Sequence, residues 1–152
     1  MKTKLLIIVL GLFVISSCKV NNKSTDHGWI TNIEDGFGIA TKENKAVFAL
    51  FTGSDWCPPC KKLHHDVLES QEFLNFAKDN LVLLMFDFPR KHKLDPAQSK
   101  YNNEQKIKYH IRGFPTVIML DKNGKELDRW VGYRPTELTN TLNKYKAALG
   151  KK

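Results

Sequence analysis

Phe51-Thr52-Gly53-Ser54-Asp55-Trp56-Cys57-Pro58-Pro59-Cys60-Lys61 sets two cysteines, with two prolines between them, just beyond an apolar run. That run, Ala46-Val47-Phe48-Ala49-Leu50-Phe51, is short and continuous, which suits a central strand covered on both faces. Thr52-Gly53-Ser54-Asp55 reads as a turn, and Leu63 and Val67 beyond the cysteines stand four apart, as on one face of a helix. The cysteines therefore fall between a buried strand and a helix. Two intervening residues let the sulfurs meet across one helical turn, so the pair can close and open without moving the fold. Cys57 is expected at the helix N-terminus, where unpaired amides favour a thiolate. Pro58 suits the first helical position, where its missing N–H costs little. Cys60, one turn inside, is expected to be the more buried sulfur. That asymmetry predicts a mechanism in which the Cys57 thiolate attacks a substrate disulfide and Cys60 resolves the mixed disulfide.

Cysteine usage narrows the chemistry. The chain has three cysteines, and Cys18 stands apart from the pair. Lys2 and Lys4 precede an apolar run from Leu5 to Ile15, followed by Ser16, Ser17 and Cys18. Eleven positions are too few for a spanning helix, which needs roughly 20 residues. A basic start, a short apolar run and small residues describe an export signal over residues 1–17. Ile15-Ser16-Ser17-Cys18 resembles the lipobox of bacterial lipoproteins, which implies a lipidated Cys18 as the first mature residue and an anchor in a lipid membrane. An ordinary secretory peptide with an unmodified Cys18, or a signal-anchor, is the alternative. Residues 18–28, CKVNNKSTDHG, are polar and aperiodic and read as a flexible tether. With Cys18 lipidated, only Cys57 and Cys60 remain, too few for a structural disulfide framework. The pair is then either redox-active or half of a metal site.

The composition, 41% hydrophobic and 26% charged, is that of a globular protein, and 152 residues allow one packed domain. That domain is expected over residues 29–152. Removal of residues 1–17 lowers the formal charge from +8 to +6. The basic residues are scattered, as in Lys61-Lys62, Arg90-Lys91-Lys93 and Lys106-Lys108, so no nucleic-acid partner is expected. The Arg90–Lys93 loop reads as solvated, with a docking surface as the alternative.

The remaining elements follow from periodicity and turns. Ile33, Phe37 and Ala40 share a helical face, which Gly36 and Gly38 weaken. Phe73, Leu74 and Ala77 continue the helical pattern beyond the cysteines. Leu81 to Phe88 is a strand, Pro89 to Gln98 a surface loop, and Tyr101 to His110 weakly helical with Asn103, Ile107 and Ile111 spaced by four. Thr116–Leu120 and Glu126–Val131 flank the turn Asp121-Lys122-Asn123-Gly124 as a strand pair. Pro135 opens a last helix lined by Leu138, Leu142, Tyr145 and Leu149. Trp29 and Trp130 read as core or edge packing. This order gives an α/β sandwich with a mixed sheet.

The cysteine segment, together with Gly113-Phe114-Pro115-Thr116 ahead of a strand, resembles the thioredoxin superfamily, and most of all its exported, lipid-anchored branch. The resemblance covers roughly Trp29 to Leu149. It implies a three-layer sandwich around a mixed sheet, a Cys57–Cys60 redox-active disulfide, and a cis-proline at Pro115 facing the cysteines. It also implies a substrate groove bordered by Trp56, Phe114, Pro115 and Thr116. The expected substrates are disulfides of exported proteins in the cell envelope, and a reductant there needs a membrane electron donor. Two departures stand out. The family's buried aspartate on the strand before the motif is missing from Ala49-Leu50-Phe51, which leaves Asp55 and Asp87 as candidates for handling the Cys60 proton. Pro58-Pro59 removes two amides from the helix start, so Cys57 is expected to be less acidic than in strongly oxidising members, which favours a reducing role.

Two other readings compete. His64 and His65 follow the pair and invite a Cys–His metal site, but no second cysteine pair supplies the usual four ligands, so no metal is expected. A thioredoxin fold without redox activity, serving as an adaptor, is the other. No nucleotide-binding loop is present in the sequence, and no organic cofactor is expected.

Overall fold

The computed structural model describes residues 28–149. The expected signal peptide 1–17, Cys18 and tether residues 18–27 lie outside the described residues. Ten elements follow in order: α1 Ile33–Glu43, β1 Ala46–Thr52, α2 Pro58–Leu63 continued by a π-helical turn His64–Leu68, α3 Gln71–Asn80, β2 Leu81–Asp87, α4 Pro96–Lys108, β3 Thr116–Leu120, β4 Glu126–Val131 and α5 Pro135–Leu149. The four strands run in the order β2-β1-β3-β4. β1 pairs parallel with β2 and antiparallel with β3, and β3 pairs antiparallel with β4. The sheet is mixed, as the sequence suggested.

Alternation along β1 builds two cores. Phe48 and Leu50 face one side with Leu63, Val67, Phe73, Phe76, Leu138 and Trp130, under α2, α3 and α5. Val47, Ala49 and Phe51 face the other with Ile33, Ala40, Leu84 and Phe86, under α1 and α4. Burial on both sides explains why the run carries no polar alternation. Phe48 is wholly buried and meets Phe73 edge-on at 5.2 Å and Trp29 at 6.1 Å. Trp29 and Trp130 are core residues, as expected.

The outer edge of β2 is not left bare. Ile30 N–H donates to the Leu83 carbonyl and the Ile30 carbonyl accepts from Met85 N–H, both at 2.9 Å, so residues 29–30 cover that edge. Gly36 has a packing reason: a Cβ there would fall 2.7 Å from Leu84 Cδ2, so a larger residue would force the buried Leu84 side chain or α1 to shift. Tyr101 ties α4 to α1. Its hydroxyl accepts from Ile33 N–H at 2.8 Å and donates to Glu34 Oε2 at 2.6 Å. Burial first, and that carboxylate second, push the Tyr101 phenol well above its ordinary pKa.

α4 corrects the sequence reading twice. It starts at Pro96, inside the expected loop, because Asp95 caps it by accepting from Ala97 and Gln98 N–H. Its inward face is not Asn103 and Ile107. Ile107 is 74% exposed, whereas Asn102 and Gln105 are buried. The reason is polar: Asn102 Nδ2 donates to the Asp87 carbonyl at 2.8 Å, satisfying the end of β2 where no strand continues.

Candidate active site

The cysteines lie where β1 runs out. The Gly53 carbonyl accepts from Cys57 N–H at 2.9 Å and from Trp56 N–H at 3.3 Å, closing the turn between strand and helix. Cys57 is the N-cap of α2, with extended backbone (φ −91°, ψ 106°), and its Sγ accepts from Cys60 N–H at 3.3 Å. Pro58 and Pro59 occupy the first turn, where the absent N–H groups have no intrahelical carbonyl to serve. Cys57 and Cys60 form a disulfide with Cα atoms 5.2 Å apart. Cys60 N–H is shared between that sulfur and the Cys57 carbonyl, which accepts from it at 3.1 Å and from Lys61 N–H at 3.1 Å. Both cysteines are 3% exposed, so Cys60 is not the more buried of the two.

Strand register delivers the second motif. Phe51 pairs with Thr116, so Gly113–Pro115 reach the same end of the sheet as the cysteine turn. The Phe114–Pro115 bond is cis, and the Pro115 carbonyl accepts from Gly132 N–H at 2.8 Å. Thr116 is 1% exposed and its hydroxyl donates to the Gly113 carbonyl at 2.8 Å, so its side chain braces this corner from inside. Trp56 and Phe114 are half-buried and meet edge-on at 6.0 Å. The Trp56 indole N–H donates to the Phe88 carbonyl at 2.7 Å, and Phe88 stacks on Phe114 at 5.0 Å.

Two acids near the motif act on backbone and turn rather than on sulfur. Asp55 accepts from Arg90, Lys91 and His92 N–H groups at 2.6–3.4 Å and lies 3.2 Å from the His92 ring. Burial works to raise its carboxyl pKa, and these three amides with His92 outweigh it, holding the pKa below its ordinary value. Asp87 accepts from Ser54 N–H at 2.9 Å and from its hydroxyl at 2.6 Å. Neither acid lines the cleft that reaches Cys60, which is bordered by Thr52, Ser54, Lys61, His64, Glu69 and Met85 among others. His64 Nδ1 lies 3.1 Å from Glu69 and His65 Nδ1 lies 3.0 Å from Asp66.

Phe88 and Arg90 were not singled out in the sequence as parts of this site. The Arg90 guanidinium sits 3.6 Å over the Trp56 ring, and Phe88 completes the aromatic cluster. Only the parallel pairing of β2 with β1 brings them beside the cysteine turn, across 32 residues of chain or more.

A family model described as a thioredoxin-like domain matches residues 33–146. The chain belongs to the thioredoxin-like family. Among relatives of this thioredoxin-like chain is the disulfide bond reductase DsbH of Chlamydia pneumoniae, 37% identical over 108 residues, or 71% of this chain and 64% of DsbH. The thioredoxin-related protein DsbJ of the same organism is 26% identical over 125 residues, 82% of this chain and 35% of DsbJ. The chain thus matches less than two thirds of the length of these curated relatives. A solved DsbH oxidoreductase superposes with a TM-score of 0.67 at 32% identity, covering 82% of this chain and 85% of that one. A thioredoxin from Thermus thermophilus shares the fold, with a TM-score of 0.57 at 18% identity over 76% of this chain and 84% of that one.

Proposed function

We propose that this protein is a thiol–disulfide oxidoreductase that reduces disulfides in exported proteins. The observation that carries the reading is the Cys57–Cys60 bridge at a helix cap, with Cys60 N–H aimed at the Cys57 sulfur. In the dithiol form that amide stabilises developing charge on Cys57. Cys57 thiolate attacks one sulfur of a client disulfide, forming a Cys57–client bond and releasing the other client sulfur as a thiolate. Cys60, deprotonated as it reacts, attacks Cys57 Sγ, re-forms the intramolecular bridge and releases the second client thiolate. Two electrons pass to the client and the protons from the cysteine pair complete its thiols. A membrane electron donor then returns the pair to the dithiol.

The reducing direction is supported by the two prolines, which leave few amides near Cys57, and by the name of the 37% identical relative, a disulfide bond reductase. Trp56, Phe114 and the Pro115 backbone border the client groove, with Thr116 bracing it from inside. The domain order follows from the sequence: a signal peptide over residues 1–17, lipidation at Cys18, a tether to residue 28, and the redox domain over 29–152, anchored to a membrane and facing the envelope. Replacing Cys60 with serine tests the reading. Expressed in native cells, the variant should accumulate Cys57–client mixed disulfides, identifiable by mass spectrometry. Adduct-free Cys60→Ser protein whose Cys57 still reacts with small disulfides in vitro would refute it in favour of an adaptor.

A further inference from the structure

The three rings beside Cys57 form a continuous ledge, Trp56 to Phe114 to Phe88, with ring steps of 6.0 and 5.0 Å. A cation closes each end. Arg90 lies over Trp56 at 3.6 Å, and the Lys106 ammonium lies 5.7 Å from both the Phe88 and Phe114 rings. Among the described residues, neither cation has a carboxylate within ion-pair distance. The neighbouring acids are already committed, Asp55 to the 90–92 amides and Asp87 to Ser54. What faces solvent beside the disulfide is an aromatic surface flanked by two cations outside direct ion pairs among the described residues, with the Asp55 carboxylate on the Arg90 backbone N–H close by.

We propose that this ledge selects client segments carrying carboxylates on both sides of the reactive cysteine; the inference rests on the oxidoreductase reading above. The Arg90 guanidinium, its Cζ 3.6 Å from the Trp56 ring centroid, presents a planar set of N–H donors that can grip a carboxylate in two parallel hydrogen bonds. Asp55 holds the backbone of Arg90 in place, so the fork is set before a client arrives. Lys106 supplies a second, point-like charge. The ring contacts hold the two cations within about 15 Å of each other, the reach of about four residues of extended chain. A client lying along the rings therefore presents its cysteine between two acidic positions. Complementary charge speeds encounter most at low salt, and like charge repels the wrong client.

The test uses the full chain in its dithiol form and synthetic peptide disulfides that differ only at one position on each side of the cysteine, Glu, Gln or Lys, the two positions standing two residues apart in one set and four in another. Each rate is divided by the rate with dithiothreitol, which removes differences in intrinsic disulfide reactivity. The expected order of single-turnover second-order rate constants is Glu over Gln over Lys, with Glu at least tenfold above Lys at 20 mM salt and less than threefold above it at 500 mM. The Arg90→Glu/Lys106→Glu double variant should reverse the order, and Arg90→Lys should weaken the preference while keeping the charge. Rates that agree within twofold across both peptide sets with the wild-type protein would overturn the inference and leave the oxidoreductase reading standing. A preference that persists in the double variant would overturn it too. Failure to reduce any peptide, with the pair still cycling under dithiothreitol, would overturn both.

Discussion

Replacing Gly53 with alanine pushes directly on the wall of the site. A Cβ on Gly53 would fall 2.5 Å from Cε2, 2.6 Å from Nε1 and 2.8 Å from Cζ2 of Trp56, so the indole must move. It cannot move and keep both its 2.7 Å hydrogen bond to the Phe88 carbonyl and the Arg90 stack. The hydrogen bond is worth about 0.5–1.5 kcal/mol. The cation–π contact adds about 0.5–1 kcal/mol at an exposed site. Against these, alanine lowers unfolded-chain entropy and stabilises by about 0.4–1 kcal/mol where its conformation is compatible. The net expectation is a loss of about 1 kcal/mol. In a Trp56→Ala background the obstacle is gone, and the same Gly53→Ala change should stabilise by about 0.4–1 kcal/mol. Urea denaturation of the four oxidised proteins forms a double-mutant cycle whose coupling should be about 1–2.5 kcal/mol. Equal destabilisation in both backgrounds would refute the reasoning, because it would place the cost in the backbone and not in the ring.

Phe48→Ala should cost about 3–5 kcal/mol by urea denaturation, since the ring is wholly buried between Trp29 and Phe73 and little can collapse into the gap. Gln105 is buried with its side-chain carbonyl unpartnered among the described residues, so Gln105→Met should be neutral or raise stability by up to about 1 kcal/mol; a loss above that would show a partner for the oxygen. Asp55 has its pKa held below the ordinary value, so its contribution is fully present above the unfolded carboxylate pKa and is lost as pH falls through the lower, folded one. Asp55→Asn should therefore narrow its stability gap to the wild type as pH drops from 7 through the acid range, and a gap independent of pH would contradict the assigned role.

Much of this fold was legible because the buried elements are locally unambiguous. Ala46–Phe51 and Thr116–Leu120 are continuous apolar runs, and Asp121–Gly124 is a turn by composition. The site was legible for the same reason, since Cys57 and Cys60 lie in one turn of chain and need no long-range contact to meet. α4 was misread because its inward face is polar. Asn102 is buried for a hydrogen bond to a strand end, and periodicity in apolar residues carries no trace of that. The Asp95-Pro96 pair was a usable start signal hidden in a segment read as loop. Arg90 and Phe88 belong to the site only through tertiary pairing, and charge along the sequence does not distinguish a stacked arginine from a solvated one.

The reading stands or falls on which sulfur reacts first. Reduced full-length protein is pulsed with iodoacetamide at pH 7, and the carbamidomethyl label on Cys57 and Cys60 is resolved by peptide mass spectrometry over time. The account predicts that Cys57 is labelled at least tenfold faster than Cys60. Faster labelling of Cys60, or equal rates at the two sulfurs, would contradict it.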